Sequence, residues 1–364
     1  SVHVSESTVY DAYGQNFEDI YVFGGGGVDT AQMLGSTGND NFYTQQTYSY
    51  LRGDSNGFLN YAKNFATVSV NASGGGGTDK TYMYDSAGDD ILVAGESQAT
   101  LDYDSTVDPG VDATVIGFDR VDGYGVNGGT DAATFHGSSG ADVFTGLSNY
   151  AFLEGDGGAY FFYVKNFGSV TADVSIGGGA DTAALHDSLG DDTLAADETQ
   201  ATIDHYATGA PNPNLTAIGF PNVRAYAIFG GNDLATLMGS AGDDRFTGRE
   251  TYGRMKGNGG AFINFAKGFD VLTADVSGTT GTDVAILYDA STDDKLVAGE
   301  TEATFDYAAT GVSTPDLVAK GFDQTYSYAT NGGDDTALLI GSAGNDRFTA
   351  KQTYGNMKGP TGTF

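Results

Sequence analysis

One turn is written seven times in this chain, and that repetition constrains the fold more than any other feature. The copies begin at Gly35, Asp85, Gly137, Asp187, Gly239, Asp289 and Gly341. Their spacings alternate between 50 and 52 residues, so the true period is 102. Odd copies read "GSTGNDNFYT", "GSSGADVFTG", "GSAGDDRFTG" and "GSAGNDRFTA", and even copies read "DSAGDDILVAG", "DSLGDDTLAAD" and "DASTDDKLVAG". Self-similarity at this length means one supersecondary unit repeated, each copy too small to bury its own apolar face. The chain 1–364 therefore reads as one continuous repeat array that begins and ends inside a unit. With no initiator Met, this suggests processing or a fragment.

Within each copy Phe and Leu alternate, at Phe42, Leu92, Phe144, Leu194, Phe246, Leu296 and Phe348. Nine residues further on stands another apolar position: Leu51, Leu101, Leu153, Ile203, Met255, Phe305 and Met357. Both series are candidate core columns. A further aromatic series, Phe65, Phe118, Phe167, Phe220, Phe269 and Phe322, always follows Gly or Asn, the sign of a tight turn. Segments such as "VTADVS" at 170–175 alternate apolar and polar residues with the period of a half-buried strand. The 56 Gly and 44 Tyr and Phe agree, because Gly suits positive-φ turns and aromatic rings suit pleated surfaces.

These features predict an all-β repeat protein. A parallel β-solenoid is favoured, because alternating units can stack at any length. A seven-bladed β-propeller is the alternative, but closing a ring of seven would set two odd units side by side. Whether each unit makes one coil or two is left open.

Two aspartates recur in every copy without exception. Asp29, Asp79, Asp131, Asp181, Asp233, Asp283 and Asp335 precede the turn, and Asp40, Asp90, Asp142, Asp192, Asp244, Asp294 and Asp346 lie within it. An Asx turn accepts Asn as readily as Asp, so the constancy of Asp implies that charge matters. Stacked about 4.8 Å apart, such carboxylates repel by roughly 1 kcal/mol per pair in water, more in the interior. Bound Ca²⁺, or several turn N–H donors per carboxylate, would offset the repulsion. All fourteen are thus candidate metal ligands, with Ca²⁺ the candidate cofactor.

At this turn, "GSAGDDRF" (239–246) resembles the calcium-binding nonapeptide of RTX proteins, with Gly239, Gly242, Asp244 and Phe246 on matching positions and Ser240 in place of the second Gly. That family's turns recur every nine residues, whereas these are 50 or 52 apart. The larger unit, from "GGTDAATFHGSSGADVFTG" through "YFFYVKNFGSVTADVS", resembles the Gly/Asp-rich repeats of very large bacterial cell-surface and secreted proteins. This resemblance covers essentially the whole chain and implies an extracellular, structural role with no known active site.

The net charge of −32 would repel phosphate backbones and anionic membranes, which argues against a nucleic-acid partner. No apolar run approaches membrane-spanning length, and absence of Cys fits bacterial secretion. The acid pairs Glu96/Asp102, Glu198/Asp204 and Glu300/Asp306 recur in every even unit, whereas a catalytic site normally breaks a repeat at one place. His136 and His186 hold a position occupied elsewhere by Leu, Tyr, Met or Ile. No catalytic residue is assigned. Asn71 in "NAS" and Asn214 in "NLT" match the glycosylation acceptor pattern.

The expected function is a non-enzymatic structural segment of an extracellular filament or of a surface-layer or adhesin-like assembly, joined end to end. A glycan- or partner-binding module is the alternative, favoured if exposed tyrosines such as Tyr326 and Tyr328 prove grouped on one surface. A polysaccharide-active enzyme comes third.

Overall fold

A computed structural model describes residues 2–6, 11–54, 57–107, 110–205, 214–308 and 315–359. The chain is 51% strand and 2% helix, and its coils stack in parallel as a β-solenoid rather than as propeller blades. It is organised in two compact units, Ser1–Asp181 with Asn214–Ile218, and Thr182–Pro213 with Gly219–Phe364.

The alternation of odd and even copies has a topological cause. In the first unit the chain leaves the strand Asp29–Leu34 of one sheet and crosses to Asn41–Gln45 of the facing sheet. There it folds back twice, through Tyr48–Arg52 and Leu59–Lys63, as an antiparallel meander. It then returns to the first sheet as Thr67–Asn71, parallel to Asp29–Leu34. The next crossing, Lys80–Tyr84, lies parallel to Asn41–Gln45 and so advances past the whole meander. The even copy now makes its own meander in the other sheet, from Ile91–Gly95 through Gln98–Asp102 to Ala113–Ile116. One meander in each sheet completes the 102-residue period. The choice between one coil and two per copy is thereby replaced by a third arrangement, a three-strand meander plus two crossing strands.

The second unit uses the same path. Its odd meander is Arg245–Arg249, Tyr252–Lys256 and Ile263–Lys267. Its even meander, in the facing sheet, is Lys295–Ala298, Glu302–Asp306 and Leu317–Lys320.

The apolar series find their places in these hairpins. Phe42 stands directly opposite Leu51, Leu92 opposite Leu101, Phe144 opposite Leu153 and Phe246 opposite Met255. All eight are buried between the sheets. The residues before the second aromatic series, Asn64, Gly117, Asn166, Gly219, Gly268 and Gly321, all have positive φ. The expected tight turns are therefore left-handed, a conformation that Gly and Asn tolerate best. Buried glycines make room across the core: a Cβ built on Gly146 would lie 2.7 Å from the Leu215 side chain, and one on Gly253 2.7 Å from Leu272.

Candidate functional site

The repeated turn is closed by its own aspartate. Ser36 donates its backbone N–H to Asp40 Oδ2 at 2.6 Å and its hydroxyl to Oδ1 at 3.0 Å, while Gly38 N–H donates to Ser36 Oγ at 3.1 Å. The same three bonds recur around Asp90, Asp142, Asp192 and Asp244. At Asp294 the donors are Ala290 N–H and the Thr292 hydroxyl. Asp346 accepts the Ser342 hydroxyl. Further donors reach these carboxylates: Asp104 N–H on Asp90, the Tyr160 hydroxyl on Asp142, and Ala308 N–H on Asp294. Both oxygens must accept, so Asn, with one acceptor oxygen and a donor amide, is a poor replacement.

The second series of aspartates locks successive copies together. Six of the seven turn aspartates, Asp346 apart, donate their backbone N–H to Oδ1 of the aspartate that precedes the next turn. The pairs are Asp40 with Asp79 (2.7 Å), Asp90 with Asp131 (3.0 Å) and Asp142 with Asp181 (2.8 Å) in the first unit. In the second they are Asp192 with Asp233 (2.8 Å), Asp244 with Asp283 (2.8 Å) and Asp294 with Asp335 (3.1 Å). Asp29 accepts Gly25 N–H. Asp79, Asp233 and Asp283 pass their own N–H to Asp119, Asp270 and Asp323. Those three acids were not singled out from the sequence, although each directly follows a core Phe. N–H donors thus account for much of the compensation that fourteen carboxylates require. Burial, opposed by these hydrogen bonds, still pushes Asp79 and Asp131 up to about 6, and raises Asp181, Asp233 and Asp283.

At two of the even-to-odd steps a third carboxylate joins the pair, because the even turn opens with Asp where the odd turn has Gly. Asp85, Asp90 and Asp131 each bring an oxygen within 4.8 Å of the other two, as do Asp187, Asp192 and Asp233. All six residues are buried. At an effective dielectric of about 20, charges this close repel by roughly 3 to 4 kcal/mol per pair. Among the described residues these two groups can hold a metal ion. Among the described residues the other candidate aspartates do not form such three-carboxylate groups.

The outer face of the hairpin sheet in the first unit carries a row of tyrosines. Tyr43 stacks between Tyr50 (4.6 Å) and Tyr82 (4.5 Å), and the row continues through Tyr48 to Tyr61. At these separations the faces of Tyr43 are occupied by neighbouring rings, which favours a flat sheet over sugar stacking. In the second unit Tyr328 stacks on Tyr288 (5.4 Å), and Tyr326 and Tyr328 are 47% and 45% exposed.

The acceptor Asn71 is engaged by its own turn, its Oδ1 accepting the N–H and hydroxyl of Ser73. Asp173 and Asp275 do the same with Ser175 and Ser277 at equivalent places. Asn214 Nδ2 donates to Gly168 O. His186 stacks on Tyr226, and burial lowers its pKa, as befits a packing residue. A cavity of about 180 Å³ beside Thr44, Ser49 and Tyr103 is lined mainly by hydroxyl, amide and apolar groups. Among the described residues no helix is long and apolar enough to cross a membrane.

Comparison with protein-family models, with curated proteins and with solved structures finds no match.

Proposed function

We propose that the chain is a non-enzymatic structural segment of a bacterial extracellular filament or surface assembly, extended by adding coils of its own kind. The observation that carries this reading is an uncovered core column in the second unit. Phe348 is 59% exposed, whereas its equivalents Phe42, Phe144 and Phe246 are 0% exposed. Its hairpin, Arg347–Lys351 with Tyr354–Lys358, pairs only with itself among the described residues, while the equivalent Arg245–Arg249 and Tyr252–Lys256 have further strands on both sides. Leu338 and Ile340 are also exposed. An apolar column flanked by unpaired strand edges fits another coil of the same fold, supplied by further repeats of a longer chain or by a second copy.

Support for a structural role comes from the aspartates, whose oxygens hold turns and join copies. Ca²⁺ is the cation we assign to carboxylate clusters of this kind, since it takes oxygen ligands and tolerates irregular geometry. Glycan binding is a second reading, favoured by the exposure of Tyr326 and Tyr328. The resemblance to large bacterial surface proteins supports the extracellular setting.

Electron microscopy with light scattering tests the main reading. Concentration-dependent filaments with an axial repeat are expected, and Phe348→Asp should abolish them while far-UV circular dichroism stays β-rich. Monodisperse monomers at every concentration would overturn it.

A further inference from the structure

The two carboxylate clusters differ in the donors that face their first carboxylate. In the first, Asn127 donates its side-chain amide to Asp85 Oδ1 at 2.9 Å, and its backbone N–H donates to Asp85 Oδ2 at 2.7 Å. Both oxygens of Asp85 are thereby satisfied. In the second cluster the place of Asn127, one period of 102 residues on, is taken by Phe229. Phe229 and Ile228 donate their backbone N–H groups to Asp187 Oδ2, each at 2.8 Å. Phe229 has no amide to offer Oδ1. Asp187 is 0% exposed, and its Oδ1 has no hydrogen-bond partner.

A buried carboxylate oxygen without a donor is rare and calls for an occupant. Here it belongs to a side chain that has two other buried carboxylates within 4.8 Å. Those two are held from other directions, Asp192 by Ser188 and Asp233 by Asp192 N–H. The group is preorganised and rich in negative charge. In the third repeat Asp289 Oδ1 also lacks a partner, but Asn331 is present and donates to Asp289 O. Asp335 there is only half-buried, and no three-carboxylate group forms among the described residues.

We propose that Asp187, Asp192 and Asp233 form a divalent-cation site, and that residue 127 or 229 decides which cluster is filled. Asn127 supplies a proton donor to Oδ1 of Asp85, and Phe229 leaves the equivalent position at Asp187 to a cation. The inference rests on reading the clusters as cation sites, and adds which of them is occupied and why.

Calorimetric titration of the full chain, after chelator treatment, with Ca²⁺ alone tests it, alongside the thermal shift on adding Ca²⁺. The wild-type chain should take up one Ca²⁺. Phe229→Asn, at a position 47% exposed, should keep the fold and weaken binding by about 10- to 100-fold, the usual effect of changing a group that contacts a ligand carboxylate. Asn127→Phe should add a second site. Absence of saturable uptake by the wild type up to millimolar Ca²⁺ would overturn both this site and the calcium reading of the clusters. Uptake that neither substitution alters would overturn the Asp187 site alone.

Discussion

Asp142 donates its backbone N–H to Oδ1 of Asp181 at 2.8 Å, across 39 residues of chain. The carboxylate of Asp142 meanwhile accepts from Ser138 and Tyr160 within its own coil. One residue thus closes a turn with its side chain and joins the next copy with its backbone, which makes it the place where removing charge should be felt most.

Asp142→Asn should destabilise the first unit. The amide nitrogen it introduces would face N–H or O–H donors and leave at least one buried group unsatisfied, at a cost of about 1 to 3 kcal/mol. A lower urea midpoint with unchanged slope checks this. An unchanged midpoint would mean that the turn needs only a polar residue.

Acid should stabilise the calcium-free chain through the aspartates that precede the odd-to-even steps. Asp79 is pushed up to about 6, and Asp181 and Asp283 are raised by the same burial. A carboxyl with a higher pKa folded than unfolded binds its proton more tightly in the folded state. Its favourable contribution is complete below the unfolded pKa, near 4, and is lost as pH rises through the folded value. The urea midpoint in chelator should therefore rise between pH 7 and pH 5. Relief of the −32 net charge acts in the same direction, so Asp79→Asn supplies the control. That variant should show a shallower pH dependence than the wild-type chain, and an identical slope would remove Asp79 from the account.

Gly146→Val should overpack the core. The Cβ alone would meet Leu215 at 2.7 Å, and overpacking typically costs about 1 to 3 kcal/mol. Leu215→Ala in the same chain should recover part of that loss, because the clash partner is removed. Additive destabilisation by the two substitutions, measured by denaturant melts, would show that they do not share one space.

Tyr43→Ser should loosen the tyrosine row by removing the ring between Tyr50 and Tyr82. Each lost aromatic contact is worth about 0.5 to 1.5 kcal/mol beyond burial. Faster amide hydrogen exchange in Asn41–Gln45 and Lys80–Tyr84 than in the wild-type chain is the expected signature.

Local pattern carried much of this fold. The nine-residue offset from Phe42 to Leu51 is the register of a tight hairpin, and the structure sets the two side by side. Gly or Asn before each Phe of the second aromatic series is the left-handed residue. The Ser, Gly and Asp of most of these turns bond to one another within a few residues, so their recurrence was readable without a fold. Long-range register was not readable. That Asp40 meets Asp79, and that Asp85 joins Asp90 and Asp131, depends on which sheet receives each meander and how far the chain advances when it crosses. Parallel pairing over 39 to 41 residues leaves no local mark, because its partners are chosen by core packing between sheets. The 102-residue period announced two kinds of copy; only the tertiary structure showed that they differ by the sheet in which they fold back.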